Sequence, residues 1–121
     1  RSQLLWNNPE SSIAKSWIDA PEDQAAKIES DLENTKTLMA IGKFCWPIPD
    51  KGLKKRIHRI TMPTQLIWGD SDGIVPLEYG SLFNELISCS RLHVINKCGH
   101  IPQLECREEF VQIAQEFLKS V

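Results

Sequence analysis

Two short apolar runs, each closed by a glycine-containing turn and separated by one helix's worth of residues, constrain this chain more than any other feature. Met62-Pro63-Thr64 leads into Gln65-Leu66-Ile67-Trp68, and Gly69 follows. Leu92-His93-Val94-Ile95 is the second run, ending at Asn96-Lys97-Cys98-Gly99. Runs of this length and bounding read as strands buried in a parallel sheet. Between them, Leu77 to Ile87 places Leu82, Phe83, Leu86 and Ile87 on one helical face. Strand, helix and strand make a βαβ crossover. A two-stranded parallel sheet does not stand alone, because such sheets need several strands and cover on both faces. The pattern predicts the end of a larger α/β sheet, with the remainder lying outside the chain or supplied by a second copy. It follows that the isolated chain is expected to self-associate through its open strand edge.

The other elements are arranged around this unit. Phe110, Val111, Ala114, Phe117, Leu118 and Val121 recur at helical spacing and predict a final helix with one buried stripe. Upstream, Trp6, Ile13, Trp17 and Ile18 suggest a short amphipathic helix after Asn7-Asn8-Pro9. A second helix is expected to start in Asp19-Ala20-Pro21-Glu22-Asp23 and run to about Ile41, with Gly42 as its stop. Trp46-Pro47-Ile48-Pro49-Asp50-Lys51-Gly52 is a rigid connector, since its two prolines fix φ and withhold two donors. The basic cluster Lys51, Lys54, Lys55, Arg56 and Arg59 has no interleaved aromatics and reads as a solvated helix face.

Composition removes several classes of function. The chain has 121 residues, enough for one domain, and a net charge of −2, which argues against nucleic acid as a partner. No apolar run approaches the ~20 residues of a membrane span. The opening residues do not read as a secretory signal, although a cleaved signal or an excised fragment would look the same. Cys45, Cys89, Cys98 and Cys106 are too sparse for a disulfide framework. They are expected to be free thiols, which points to a cytoplasmic setting.

Chemistry concentrates at the ends of the two strands. Asp70 and Asp72, just before Gly73, offer two carboxylates, but the further oxygen ligands and distal Glu of a calcium loop are absent. The plain alternative for this loop is an Asx-turn. Cys98-Gly99-His100 follows the second strand, so Asp72 and His100 would emerge at the same end of a parallel pair. A carboxylate there would orient the imidazole and leave its other nitrogen to accept a proton. Cys98, His100 and Cys106 lack zinc-ligand spacing, and Cys98 stands too close to His100 to be its nucleophile.

With those residues in view, Pro63 to Val121 resembles the C-terminal end of an α/β-hydrolase-fold protein. The matching pieces are Trp68-Gly69-Asp70-Ser71-Asp72-Gly73-Ile74-Val75-Pro76, then Gly99-His100-Ile101-Pro102-Gln103-Leu104-Glu105, then the helix through Phe110 and Phe117-Leu118. The resemblance implies Asp72 as the acid and His100 as the base of a Ser-His-Asp triad. It implies an α/β fold divided into a cap-like helical segment over 1–46, a connector over 47–62 and a core part over 63–121. Trp46, Ile74, Val75 and Ile101 are expected against a small apolar ester-like or related carbonyl substrate, and no cofactor or metal is required. Trp6, Trp17 and Phe44 also suit a substrate pocket, although ordinary core packing explains any one of them. The connector and basic stretch resemble the return from cap to core in the branch that holds esterases and carbon–carbon bond hydrolases. The family's Gly-x-Ser-x-Gly nucleophile motif does not occur in these residues. The chain is therefore expected to be the acid–base part of a hydrolase, inactive alone. The competing expectation is a non-catalytic member that binds a small molecule or partner.

Overall fold

The computed structural model describes residues 2–19, 21–45 and 52–121. Strands β1 (Thr64–Gly69) and β2 (Ser90–Ile95) pair in parallel, with Thr64 opposite Ser90 and Gly69 opposite Ile95. Each runs beyond its apolar run because backbone pairing continues through polar residues. The Thr64 N–H, for example, donates to the Cys89 carbonyl at 2.9 Å. Residues paired across a parallel register share a face, so Leu66, Trp68, Leu92 and Val94 lie on one side. Ile67, Gly69, His93 and Ile95 lie on the other.

Each face takes one helix. Helix α4 (Leu77–Leu86) covers the first face: Gly80 sits against the Trp68 ring and Leu92, and Phe83 meets Trp68 edge-on with centroids 6.1 Å apart. Helix α6 (Arg107–Ser120) covers the second, where Ile113 packs with Ile95, Cys98, Ile67 and Phe110. The result is an α/β/α sandwich built on a βαβα unit. The strands are nonetheless half-buried along most of their length, and only Gly69 and Ile95 are fully buried. Among the described residues each strand has one neighbour, so the cover that the sequence anticipates is incomplete.

Three helical expectations are corrected. The inward face of α6 is Phe110, Ile113, Ala114 and Phe117, whereas Val111, Leu118 and Val121 are exposed. The apolar stripe is wider than the contact, and Ile113 marks the side that touches the sheet. Gly42 does not stop its helix, which runs from Gln24 to Cys45 (α3). Glycine ends a helix by turning left-handed, and of the described glycines only Gly52 has positive φ. The basic cluster is solvated as expected but is not a regular helix. Its described members Lys54, Lys55 and Arg56 occupy turns, and a short 3₁₀ helix over Ile57–Arg59 buries Ile57. Lys51 lies outside the described residues.

The amino-terminal part lies against the carboxyl ends of the strands. Helix α1 (Ser2–Leu5) leads to Trp6, which is 2% exposed, and then to α2 (Ser12–Ile18), whose Ala14 is fully buried. Ser11 caps α2 by accepting from the Ala14 N–H at 3.2 Å. Asp23 does the same for α3 through the Ala26 N–H at 3.0 Å. A one-turn helix, α5 (Pro102–Glu105), which the apolar pattern does not predict, separates β2 from α6. No helix among the described residues is long and apolar enough to cross a membrane.

The packing of α6 generates a contrast. Ile95→Ala should cost about 2–5 kcal/mol of stability, the range for truncating a fully buried isoleucine. Leu118→Ala, at a position 70% exposed, should stay within about 0.5 kcal/mol. Urea unfolding midpoints at constant slope measure both.

Candidate active site

Two glycines bring the loops after β1 and β2 together. A Cβ on Gly69 would overlap the Cys98 and Gly99 carbonyls, and one on Gly99 would overlap the backbone of Leu5 to Asn7. Both positions need a residue without a side chain. Backbone bonds then stitch the loops: Asp70 N–H donates to the Ile95 carbonyl and Ser71 N–H to the Cys98 carbonyl, both at 3.0 Å.

Within the β1 loop, Asp72 turns its carboxylate back on its own chain. Oδ1 accepts from the N–H groups of Ile74 and Val75, each at 2.9 Å. The Val75 carbonyl accepts from the Trp68 indole N–H at 2.9 Å, which ties the loop to β1. The Asx-turn and the carboxylate that meets His100 are thus the same residue. His100 Nδ1 lies 2.9 Å from Asp72 Oδ2 and 3.1 Å from Oδ1. The Asp72 side chain is 5% exposed and that of His100 is 35% exposed.

Burial pushes the Asp72 carboxyl upward. The Val75 N–H, the His100 ring and the Ile74 N–H outweigh that effect and hold it below the usual carboxylate value. An ionised carboxylate has no proton to give, so the shared hydrogen belongs to Nδ1. Nε2 is then the nitrogen left to take a proton, which is the tautomer a general base needs.

Asp70, the other carboxylate of the loop, plays a different part. It is exposed, and its Oδ1 accepts from the Ser71 hydroxyl at 2.8 Å and the Cys98 N–H at 3.3 Å. The Ser71 hydroxyl, the Lys97 and Cys98 N–H groups and the Lys97 charge hold its carboxyl low against a small burial penalty. Cys98 is fully buried, and burial together with the adjoining Cys106 pushes its thiol up, which disfavours the thiolate. Among the described residues Cys89, Cys98 and Cys106 are free thiols. No three His, Cys, Asp or Glu side chains among those residues form a metal-binding group.

The remaining candidates divide. Val75 lines a cavity of about 160 Å³ with Ile67, Trp68, Asp72, His100 and Pro102. Ile101 opens onto a larger cavity of about 500 Å³, walled by Leu5, Trp6, Trp17, Ile18 and Leu38. Ile74 is 47% exposed and touches the site through its backbone N–H. Trp46 lies outside the described residues, as does the side chain of Phe44. Sequence reasoning misses the amino-terminal segment: the Leu5 carbonyl accepts the His100 N–H at 2.8 Å. It also gives no role to Glu105, whose carboxylate accepts from Gly99, Asn7 and Asn8. The one signal in the sequence for Glu105 is its place in the Gly99-to-Glu105 stretch.

A parallel pair with helices on both faces, and a carboxylate–imidazole contact at the carboxyl ends of its strands, describes part of an α/β-hydrolase core. The sequence pattern of the alpha/beta hydrolase fold matches residues 4–105, and the chain belongs to that family. It is 43% identical over 70 residues to 2-hydroxy-6-oxononadienedioate/2-hydroxy-6-oxononatrienedioate hydrolase 1 of Pseudomonas putida, covering 58% of this chain and 24% of that protein. A longer match, 33% over 109 residues, is to the 2-hydroxy-6-oxononadienedioate/2-hydroxy-6-oxononatrienedioate hydrolase of Cupriavidus pinatubonensis, covering 89% and 36%. The 2-hydroxy-6-oxo-6-phenylhexa-2,4-dienoate hydrolase of Comamonas testosteroni is 36% identical over 92 residues, covering 76% and 32%. In structure, the chain is similar to a serine hydrolase involved in carbazole degradation (CarC enzyme). The TM-score is 0.53 and the identity 32%, over 54% of this chain and 25% of that one. The chain thus spans about a fifth to somewhat over a third of the curated relatives it matches.

The depressed Asp72 carboxyl makes a signed prediction. A folded pKa below the unfolded value adds stability above about pH 4 that is lost as pH falls through the folded value. Urea unfolding from about pH 6 down to about pH 3 should show that loss, and Asp72→Asn should flatten it. Asp70 contributes with the same sign, but it is exposed and its part should fade in high salt.

Proposed function

We propose that Asp72 and His100 are the acid and base of a Ser-His-Asp relay, in a hydrolase whose serine lies outside these residues. The observation that carries this reading is the 2.9 Å contact between His100 Nδ1 and Asp72 Oδ2 at the strand ends, in a chain of α/β-hydrolase family. In the relay, His100 Nε2 takes the serine proton as the serine oxygen attacks a carbonyl carbon. It then returns that proton to the leaving group, while Asp72 stabilises the imidazolium in between. Such a relay needs no cofactor.

The names of the relatives point to a substrate of the 2-hydroxy-6-oxo-dienoate type, with the 6-oxo carbonyl as electrophile and a carbon–carbon bond as the one cleaved. The apolar wall formed by Trp17, Ile18, Leu38 and Ile101 suits the hydrocarbon part of such a molecule. In this reading residues 1–46 supply cap-side structure, 47–62 the connector and 63–121 the core. The segment around Leu5 and Trp6 ties the first part to the last.

The test uses two proteins. The 121-residue chain alone should hydrolyse a 2-hydroxy-6-oxo-dienoate, or a p-nitrophenyl ester, no faster than buffer. In the full-length protein, His100→Ala should lower kcat by roughly 10⁴- to 10⁶-fold, since triad members act as a unit. Asp72→Asn should lower it by roughly 10⁴-fold, because its amide would donate to Nδ1 and impose the wrong tautomer. A full-length His100→Ala variant with near-parental turnover would overturn the assignment.

A further inference from the structure

The backbone between β2 and α5 carries His100 yet belongs to no ladder, so each of its donors must find a separate acceptor. Three consecutive N–H groups do so. Cys98 N–H goes to Asp70 Oδ1 at 3.3 Å, Gly99 N–H to Glu105 Oε2 at 2.7 Å, and His100 N–H to the Leu5 carbonyl at 2.8 Å. The Gly99 bond is the shortest of the three and is made to a charged group, which marks it as the strong one.

Glu105 also reaches the segment that supplies the Leu5 carbonyl. Its Oε2 accepts the Asn7 N–H at 3.2 Å and its Oε1 the Asn8 N–H at 2.8 Å. One carboxylate therefore holds both the turn that precedes His100 and the strip of chain that receives the His100 N–H. The single turn of α5 places Glu105 back beside the loop it leaves. Three backbone donors converge on two oxygens, and only an acceptor-only group satisfies all three.

We propose that Glu105 is a positioning residue for the His100–Asp72 pair: by clamping Gly99 and the Asn7–Asn8 segment, it sets where the imidazole meets the carboxylate. The inference rests on the proposed role of that pair, but its test does not need activity. Truncation to Ala strands three donors and frees the turn. In Glu105→Gln the amide oxygen can take the Oε2 place and keep Gly99 and Asn7, while its NH₂ then faces the Asn8 N–H. The effect should therefore be graded, with Gln intermediate between Glu and Ala.

The readout is the low-field proton resonance of an imidazole N–H held by a carboxylate, recorded by NMR on the 121-residue chain and assigned by its loss in His100→Gln. Glu105→Ala should abolish the resonance while amide dispersion shows a folded chain, and Glu105→Gln should weaken it through faster exchange with water. Glu108→Gln removes the same charge at an exposed position and should leave the resonance as it is. If Glu105→Ala fails to fold, the Gln variant carries the test. An unchanged resonance in every folded Glu105 variant overturns the positioning role alone. Its absence from the folded parent chain overturns the His100–Asp72 pairing, and the inference with it. In the full-length protein the expected parallel is a fall in kcat of roughly 10- to 100-fold in Glu105→Ala, with KM within about twofold.

Discussion

Parallel pairing that ends flush is the constraint on which the site depends. Gly69 and Ile95 are partners in the register, so the loops that follow leave the sheet at one level and side by side. Antiparallel pairing would send one loop to the far end, and a register slip would move it along the strand and onto the other face. Gly69 fixes the lateral approach, because any side chain there would meet the carbonyls of Cys98 and Gly99. The carboxylate–imidazole contact, made 28 residues apart in sequence, is a consequence of strand register and one missing methyl group.

The loops are then held by polar groups in addition to the buried Cys98. Asp72 caps its own turn through Ile74 and Val75, and the same carboxylate receives His100. Asp70 secures Cys98, Glu105 secures Gly99, and Leu5 secures His100. Hydrogen bonds to charged acceptors are directional and are worth more than neutral ones, so a few of them fix a loop that burial alone would leave loose. The two neighbouring aspartates also serve separate ends, since Asp70 joins loop to loop and Asp72 joins loop to imidazole.

How much of this is legible in the residues follows from the range of each interaction. The strands, the crossover helix α4 and the closing helix α6 declare themselves through local apolar pattern, and the two chemical side chains through their place just after the strands. The exposed face of α6 is harder to read because Val111 and Leu118 extend the stripe without touching the sheet, and periodicity records apolarity rather than contact. Gly42 misleads because glycine permits a left-handed turn without imposing one. The bonds from Glu105 to Asn7 and Asn8 span nearly the whole chain, so no local window contains them. Trp6 presents the same difficulty: it is 2% exposed, and its backbone lies against Gly99, far along the chain.

Trp6 and Leu5 also bear on how the amino-terminal segment is joined to the βαβα unit. Here the backbone of residues 5–8 bonds directly to the His100 loop and to Glu105, and Gly99 is bare of side chain where that backbone crosses it. The same strip forms one wall of the larger cavity through Leu5 and Trp6, opposite Leu38 of α3 and beside Ile101. The strip meets the His100 loop through the Leu5 carbonyl and the Glu105 carboxylate. Side chains of residues 5 and 6 thus line the cavity, while the backbone of residues 5 to 8 holds the His100 loop and Glu105.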